Sequence, residues 1–593
     1  GQILKDLYGL SLGDKAGIYE IADHGCEHEQ LDKRTAIAIM DYVLILAHRM
    51  PMKDLLKDDL RHTIEAMQRV IGPAKTNKNS THNMRILQDY VRKPINPIKL
   101  LSAMKGLESL DTLPVDSHPE TSLSSKSWYF LLGMIALTRF KSVKRVAPGA
   151  IDDLKIAGTL FRTQLQFTPE HWEAWYRLAQ CYDYELEEDV LWSSEKLNGD
   201  KYVRATLVNE QRGAIHCYAM AVSTAYNYAD ASFETVEKLS CLYHDFGTRM
   251  YASSRDPFAM EAFFVDDNLR HMSGETGMYI IPQHAELSRY KCWAFAASLF
   301  KKAMVEKPNN WLTHYMLGKC WWKMMTRYDE ESDERAILYR PRVKTLISTL
   351  EKAVQNCPKP RDSRVEPILE PHYKIVVILY KMTTMGLLTN FQLAADTIQR
   401  GRYALKKIVV KNGEEWEKFI SDHIRHLRSL DKANWHHRFI SRAAHMITSK
   451  ATEVLTPEIA LQAQKVMTTN GIFSKTMTVG VWKPEMERAG RHCVFMSRYV
   501  KYMIGLMYHI PDKTGMENLV KRVRKKGTEY FQFADVLLLT VASYAALIMF
   551  RRGRMSYANR SRQMNGQIPQ TLSKHGPMSK AISKNPAAPY LKL

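Results

Sequence analysis

Residues 296–321 narrow the folds open to this chain more than any other stretch, because two helical periodicities meet there around a proline. Ala296, Phe300, Ala303 and Pro308 come first, in AFAASLFKKAMVEKP; Leu317, Gly318 and Trp321 follow, in THYMLGKCWWK. Spacings of three and four residues place small and large apolar side chains on one helical face. Ala296, Ala303 and Gly318 let neighbouring helices approach, and Phe300 and Trp321 fill the space between them. Pro308 stops one helix before the next begins. A helix pair of this kind cannot bury its apolar face alone, so it requires neighbours.

The pattern recurs. Ala157, Phe161 and Pro169 repeat the second-helix signature, with Gln164 where a small residue is expected. Trp175, Leu178, Ala179 and Tyr182 repeat the first-helix signature, and Ala214, Tyr218 and Ala221 supply its partner later than the frame requires. Further copies are Tyr129, Leu132 and Gly133; Leu239, Ser240 and Tyr243; Leu346, Leu350, Ala353 and Pro358; and Tyr373, Val376, Val377 and Tyr380. The order of these copies, with proline at one offset in Pro169, Pro308 and Pro358, resembles tetratricopeptide (TPR) repeats. The resemblance implies an all-α, right-handed helical-repeat solenoid with irregular insertions, in which residues 183–213 and 329–341 form long loops or short helices on the rim. The competing reading is an irregular helical globule. The predicted organisation is an N-terminal helical segment (1–113), a polar linker (114–127), a TPR-like array (128–412), a C-terminal helical region of degenerate repeats (413–550) and a basic disordered tail (551–593).

Apolar residues make up 45% of the chain and aromatic residues 10%, which excludes a largely disordered protein. Alternating β-branched runs are nearly absent, which disfavours all-β and doubly wound folds. Eight cysteines form no CxxC pair, and Cys181, Cys217, Cys292 and Cys320 sit inside helical patterns, as small buried residues of a reducing compartment do. The chain starts at Gly1 without a secretory signal, so a portion of a longer protein is expected. Residues 536–550 (VLLLTVASYAALIMF) fall short of the roughly 20 apolar residues a spanning helix needs, so a buried terminal helix without integral membrane association is expected.

The net charge of +21 speaks of partners, not of fold. Residues 551–593 contain no acidic side chain and begin with Arg551, Arg552 and Arg554. Upstream, Lys521, Arg522, Arg524, Lys525 and Lys526 form a compact cluster, which reads either as a nuclear import address or phosphate contact, or as the solvated end of a helix.

No GxxxxGK loop, GxSxG elbow or kinase signature set is present. Two histidine groups invite a metal reading: His423, His426, His436 and His437 near Asp422, and His24, Cys26 and His28 in HGCEH. The first lacks a nearby cysteine, and the second is too tightly spaced for tetrahedral ligation. The acidic run Glu185, Glu187, Glu188 and Asp189 reads as a solvated loop. A chain without enzymatic activity, cofactor or metal is therefore expected. By repeat phase, Tyr176, Gln180 and Asp183, then Tyr315, Lys319, Trp322 and Lys323, then Lys374, Ile378 and Lys381, line a concave groove suited to a polypeptide or partner helix.

Three phrases carry a more specific likeness: HWEAWYRLAQCYDYELEEDVLWSSEKLN (171–198), LDKANWHHRFISRAA (430–444) and WKPEMERAGRHCVFMSRYVKYMIGLM (482–507). Together with LYGLSLG and DHGCEHEQLD near the start, they resemble the family of the largest, TPR-containing subunit of the histone-regulator (HIR/HIRA) chaperone complex, whose animal counterpart is the calcineurin-binding cabin family. The resemblance implies a non-enzymatic nuclear scaffold that organises WD-repeat subunits and a ubinuclein-like subunit. The assembly deposits histones H3–H4 outside replication and affects histone-gene transcription. The strong positive charge would repel basic histones at long range, which favours subunit scaffolding or contact with DNA phosphates over direct histone binding. Two other readings stand beside this one. A helical-repeat RNA-processing scaffold would use the aromatic–lysine groove, and a membrane-peripheral adaptor would use the 536–550 helix.

Overall fold

The computed structural model describes residues 1–13, 21–115, 119–143, 149–265, 270–273, 277–280, 285–326, 342–360, 366–405, 408–431, 437–449, 455–469, 471–481, 490–510 and 512–551. Their regular structure is helical apart from one antiparallel ribbon, Arg270–Ser273 against Gly277–Ile280, and an isolated bridge between Phe473 and Val479. Many helices begin at a short polar side chain that accepts an otherwise unpaired backbone N–H. Asp32 accepts from Thr35 N at 2.8 Å, Asn390 from Leu393 N at 2.9 Å and Asn412 from Glu415 N at 2.9 Å, while Asn77 and Ser80 form a reciprocal capping box.

The chain divides into two compact units. The first comprises Gly1–Glu188, Thr206–Leu242 and Ala262–Leu287; the second comprises Asp189–Ala205, Tyr243–Glu261 and Ser288–Leu593.

In the first unit, helix Trp128–Ser142 lies directly on Asp152–Phe167. Gly133 makes this possible, since a Cβ there would stand 2.6 Å from Cε1 of the Phe161 ring. Gly213 faces the Tyr182 ring in the same way, at 2.8 Å. Residues 183–213, expected as long loops or short helices on the rim, are mostly helical. Helix Trp172–Leu191 runs past Asp183, a short helix Glu195–Asn198 follows in the part of the chain (189–205) that belongs to the second unit, and Lys201–Tyr228 starts well before Gly213. Asp200 starts that last helix by accepting from the N–H groups of Tyr202 and Val203, each at 3.0 Å. Part of the expected linker is likewise structured: Pro119–Ser125 is a helix packed on Trp128–Ser142 and Asp152–Phe167, with Glu120, Leu123 and Ser124 buried.

In the second unit, helices Arg289–Glu306, Trp311–Thr326, Val343–Gln355 and Glu370–Thr384 pack in succession. Beyond them, Gly413–Leu430, His437–Ser449, Pro457–Thr469 and Arg491–His509 continue the series. Gly247 faces the Phe300 ring at 2.9 Å, and Gly318 faces Leu350 Cδ2 at 2.6 Å. The final helix, Phe533–Arg551, buries Val536, Thr540, Ser543 and Leu547 against its neighbours. Among the described residues no helix is long and apolar enough to cross a membrane. The expectations for residues 329–341 and for the tail from Arg552 onward lie outside the described residues.

Candidate functional site

The repeat-derived positions are interior. In the first unit Ala157, Phe161, Trp175, Leu178, Ala179, Ala214, Tyr218 and Ala221 are buried, and Tyr182 is half-buried. In the second unit Ala296, Phe300, Ala303, Leu317 and Gly318 are buried, while Trp321 is half-buried beneath Lys301, whose Nζ stands 5.6 Å from the indole. The two turn prolines share a device that sequence reading missed. Trp175 Nε1 donates to the Pro169 carbonyl at 2.8 Å, and His314 Nε2 donates to the Pro308 carbonyl at 2.7 Å. In both, a ring N–H six residues downstream satisfies a carbonyl at the helix turn. A proline followed at that interval by Trp or His was the available signal.

The expected partner groove is not open. In the first unit Tyr176 is buried beside Tyr218, with ring centroids 6.2 Å apart, and Gln180 accepts from Lys141 and Arg177, each at 3.2 Å. In the second unit Tyr315, Lys319 and Trp322 are buried, and Lys323 is half-buried. The reason is local: the chain's own segment Tyr243–Glu261 occupies this face. The Tyr251 ring lies 5.2 Å from Lys319 Nζ, Trp293 Nε1 donates to Ser254 Oγ at 2.8 Å, and Arg491 donates to the Asp256 carbonyl. Arg498 donates to the Asp256 carboxylate at 2.8 Å, which with Arg491 holds that carboxyl below its usual range against the opposing effect of burial.

What remains on this face is a ring of cations linked through aromatic side chains. Arg255 stands 5.0 Å from the Tyr251 ring, and Lys319 Nζ lies 4.7 Å from the Tyr315 ring. Tyr315 OH donates to Glu370 Oε1 at 2.6 Å, and Arg438 is 3.8 Å from the same oxygen. Arg438 and Arg491 both cover the Phe495 ring, at 4.9 and 5.2 Å. Lys374, one turn beyond Glu370, has Lys319, Arg255, Lys381 and Arg438 as electrostatic neighbours. Burial, reinforced by Arg255, pulls the Lys319 ammonium down to about 7. Burial and the surrounding cations also push Lys374 and Arg491 well below their ordinary ranges.

The other sequence candidates do not assemble. His423 is buried, its ring 6.4 Å from that of His426, while His437 pairs with Tyr499 OH at 2.9 Å and His436 lies outside the described residues. Burial holds His423 at about 4. His24 pairs with Asp6 at 3.2 Å, and Cys26 is exposed. Among the described residues no group of three or more His, Cys, Asp or Glu side chains could hold a metal ion. In the basic cluster Lys521 pairs with Glu517 at 2.8 Å and Lys526 with Glu529 at 2.6 Å. Arg524 and Lys525 are exposed and Arg522 is half-buried. Arg551 ends the last described helix, and Arg552 and Arg554 lie beyond the described residues.

Comparison with known proteins assigns these helices to a lineage. Residues 50–307 match a family model described as the HIR3 helical bundle domain, and residues 345–552 match one described as the HIR3 TPR domain. A histone transcription regulator 3 homolog of Chaetomium globosum is 43% identical over 92% of this chain and 28% of its own length. The protein of that name in Aspergillus fumigatus is 41% identical over 92% of this chain and 26% of its own. A more distant homolog from Eremothecium gossypii is 24% identical over 89% of this chain. The chain therefore spans little more than a quarter of the first two relatives.

Proposed function

This chain belongs to the histone transcription regulator 3 family, and from that premise we propose that it is a non-enzymatic scaffold segment of a nuclear histone chaperone complex. The observation that carries the reading is likeness at 41–43% identity along 92% of the chain to proteins named for histone transcription regulation. The helical architecture supports it: glycine–aromatic seams give helix pairs with closely fixed spacing, which suits a platform for other subunits. In this reading the chain organises WD-repeat HIR/HIRA subunits and a ubinuclein-like subunit. Histones H3–H4 are held by the assembly, and its work is replication-independent nucleosome assembly and histone-gene regulation. The net charge of +21 favours subunit and DNA contacts over direct histone contact.

Co-purification of the chain from nuclear extract tests the reading. Recovery of WD-repeat chaperone subunits is the expected outcome, and recovery of RNA-processing factors in their place contradicts it. The DNA contact is assigned to Arg522, Arg524 and Lys525 with the basic tail. Affinity for duplex DNA should fall steeply between 50 and 200 mM salt. It should also drop when Arg524 and Lys525 are changed to Glu and residues 551–593 are removed, and unchanged affinity would refute the assignment.

A further inference from the structure

Among the described residues, the cation ring of the second unit sets six cations against two carboxylates. Arg255, Lys319, Lys374, Arg438, Arg491 and Arg498 come from five separate segments, and against them stand Glu370 and Asp256. Those two carboxylates are already engaged, Glu370 by Tyr315 and Arg438 and Asp256 by Arg498. Among the described residues Lys319 has ring contacts but no carboxylate at ion-pair distance, although only 6% of it is exposed; Arg491 is 5% exposed. Lys374 is half-buried and, among the described residues, makes no ion pair. Burial nonetheless drives its ammonium well below its ordinary range. Buried like charges left without a counter-ion are among the costliest arrangements in a folded chain.

We propose that this ring is the binding site of a compact polyphosphate of the inositol polyphosphate class. The cations come from five segments and gather around Glu370, Asp256 and the Tyr251, Tyr315 and Phe495 rings, and recognition of clustered phosphates requires such convergence. An extended acidic peptide needs a groove open along its length, and the 243–261 segment already fills this one. Duplex DNA is too broad to reach side chains as deep as Lys319 and Arg491. Single-stranded nucleic acid would need free aromatic faces, yet Tyr251 and Tyr315 are covered by Arg255 and Lys319. A bound polyanion also restores the full charge of Lys319, so binding draws a proton from solvent. The groups facing Lys319 in this exchange are Tyr251, Tyr315, Arg255, Glu370, Lys374, Arg438 and Arg491.

Isothermal titration of the full 593-residue chain with three probes tests this assignment, and it does not depend on the scaffold reading. The probes are inositol hexakisphosphate, inorganic tripolyphosphate and a Glu/Asp-only peptide. Inositol hexakisphosphate should bind one per chain, with tripolyphosphate about tenfold weaker and the peptide weakest. Lys374→Ala and Lys319→Met should each weaken inositol hexakisphosphate binding by about tenfold, the loss of one charge-assisted contact. The binding heat should depend on the buffer's ionisation enthalpy in the wild-type chain and lose that dependence in Lys319→Met. The surface pair Lys521→Ala/Arg524→Ala should bind as wild type does. Lys374 keeps solvent contact, so its variant carries the test should Lys319→Met fail to fold. No binding by any probe, preference for the peptide, or loss of binding in the surface pair alone would overturn the proposal. Tripolyphosphate binding as tightly as inositol hexakisphosphate would overturn the inositol class.

Discussion

The two units bury polar groups in opposite ways. In the first, several large buried polar side chains are held in hydrogen-bond networks, although Gln211 Oε1 and the Tyr129 hydroxyl are buried without a partner among the described residues. Gln164, placed where the repeat pattern calls for a small residue, accepts from Phe130 N at 3.1 Å and donates to the Ser124 carbonyl at 2.6 Å and Thr168 Oγ1 at 2.7 Å. Asn83 is tied to Leu113 in both directions at 2.8 Å and donates to the Gln166 carbonyl at 3.0 Å. Tyr218 donates to Asp183 at 2.7 Å. Such networks specify one packing. In the second unit, among the described residues, the clustered cations Arg255, Lys319, Lys374, Arg438, Arg491 and Arg498 outnumber the carboxylates Glu370 and Asp256 beside them.

The largest effect expected is one the units share. Burial lowers His216 in the first unit and His372 and His423 in the second to about 4, and His445 to about 3. Each folded value lies below the unfolded 6.5, so each contribution is complete above pH 6.5 and is lost as pH falls toward 4. At about 2–3 kcal/mol for each buried imidazole, urea midpoints should fall steeply between pH 6.5 and 4. A flat profile over that window would mean the imidazoles are hydrated. His216→Gln should flatten the part that belongs to the first unit, where His216 contacts the Lys93 carbonyl at 2.8 Å.

Next comes Gln164→Leu. It leaves the Phe130 N–H and Ser124 carbonyl without their partner, and should lower the stability of the first unit by about 2–4 kcal/mol in the earliest urea transition. A loss below about 0.5 kcal/mol would show that water replaces the amide. Smaller, and equal in sign in both units, are Gly133→Ala against Phe161 and Gly247→Ala against Phe300. Each overpacks a ring by one methyl and should cost about 1–3 kcal/mol. A neutral result at either site would show that the seam can open.

The seams were legible in the chain itself, because small and aromatic residues at Ala296, Phe300, Ala303 and Gly318 leave a periodic trace. The same periodicity placed Lys319 among groove-lining residues, and it is buried, but the periodicity was silent about what covers that face. The covering segment, Tyr251 to Asp256, lies some sixty residues earlier and has no repeat of its own. In residues 183–213, left open between long loops and short helices, a repeat frame does not fix where helices begin, and Asp200 caps one that starts early. The cation ring was invisible to sequence reading. Its members come from five segments, and charge convergence has no linear signature.

The comparison of the units turns on Lys319, whose folded value near 7 lies below the unfolded 10.5. Its contribution is therefore complete above pH 10.5 and is lost as pH falls through about 7, so the buried ammonium weighs on the fold at neutral pH. The most direct measurement is the urea midpoint of Lys319→Met at pH 7 without added anion, taken beside that of Gln164→Leu. Opposite directions are predicted: a gain of about 1 kcal/mol for the lysine variant, fading toward pH 10.5, and a clear loss for the glutamine variant. A loss in both would make Lys319 an ordinary structural contact and contradict the unbalanced ring.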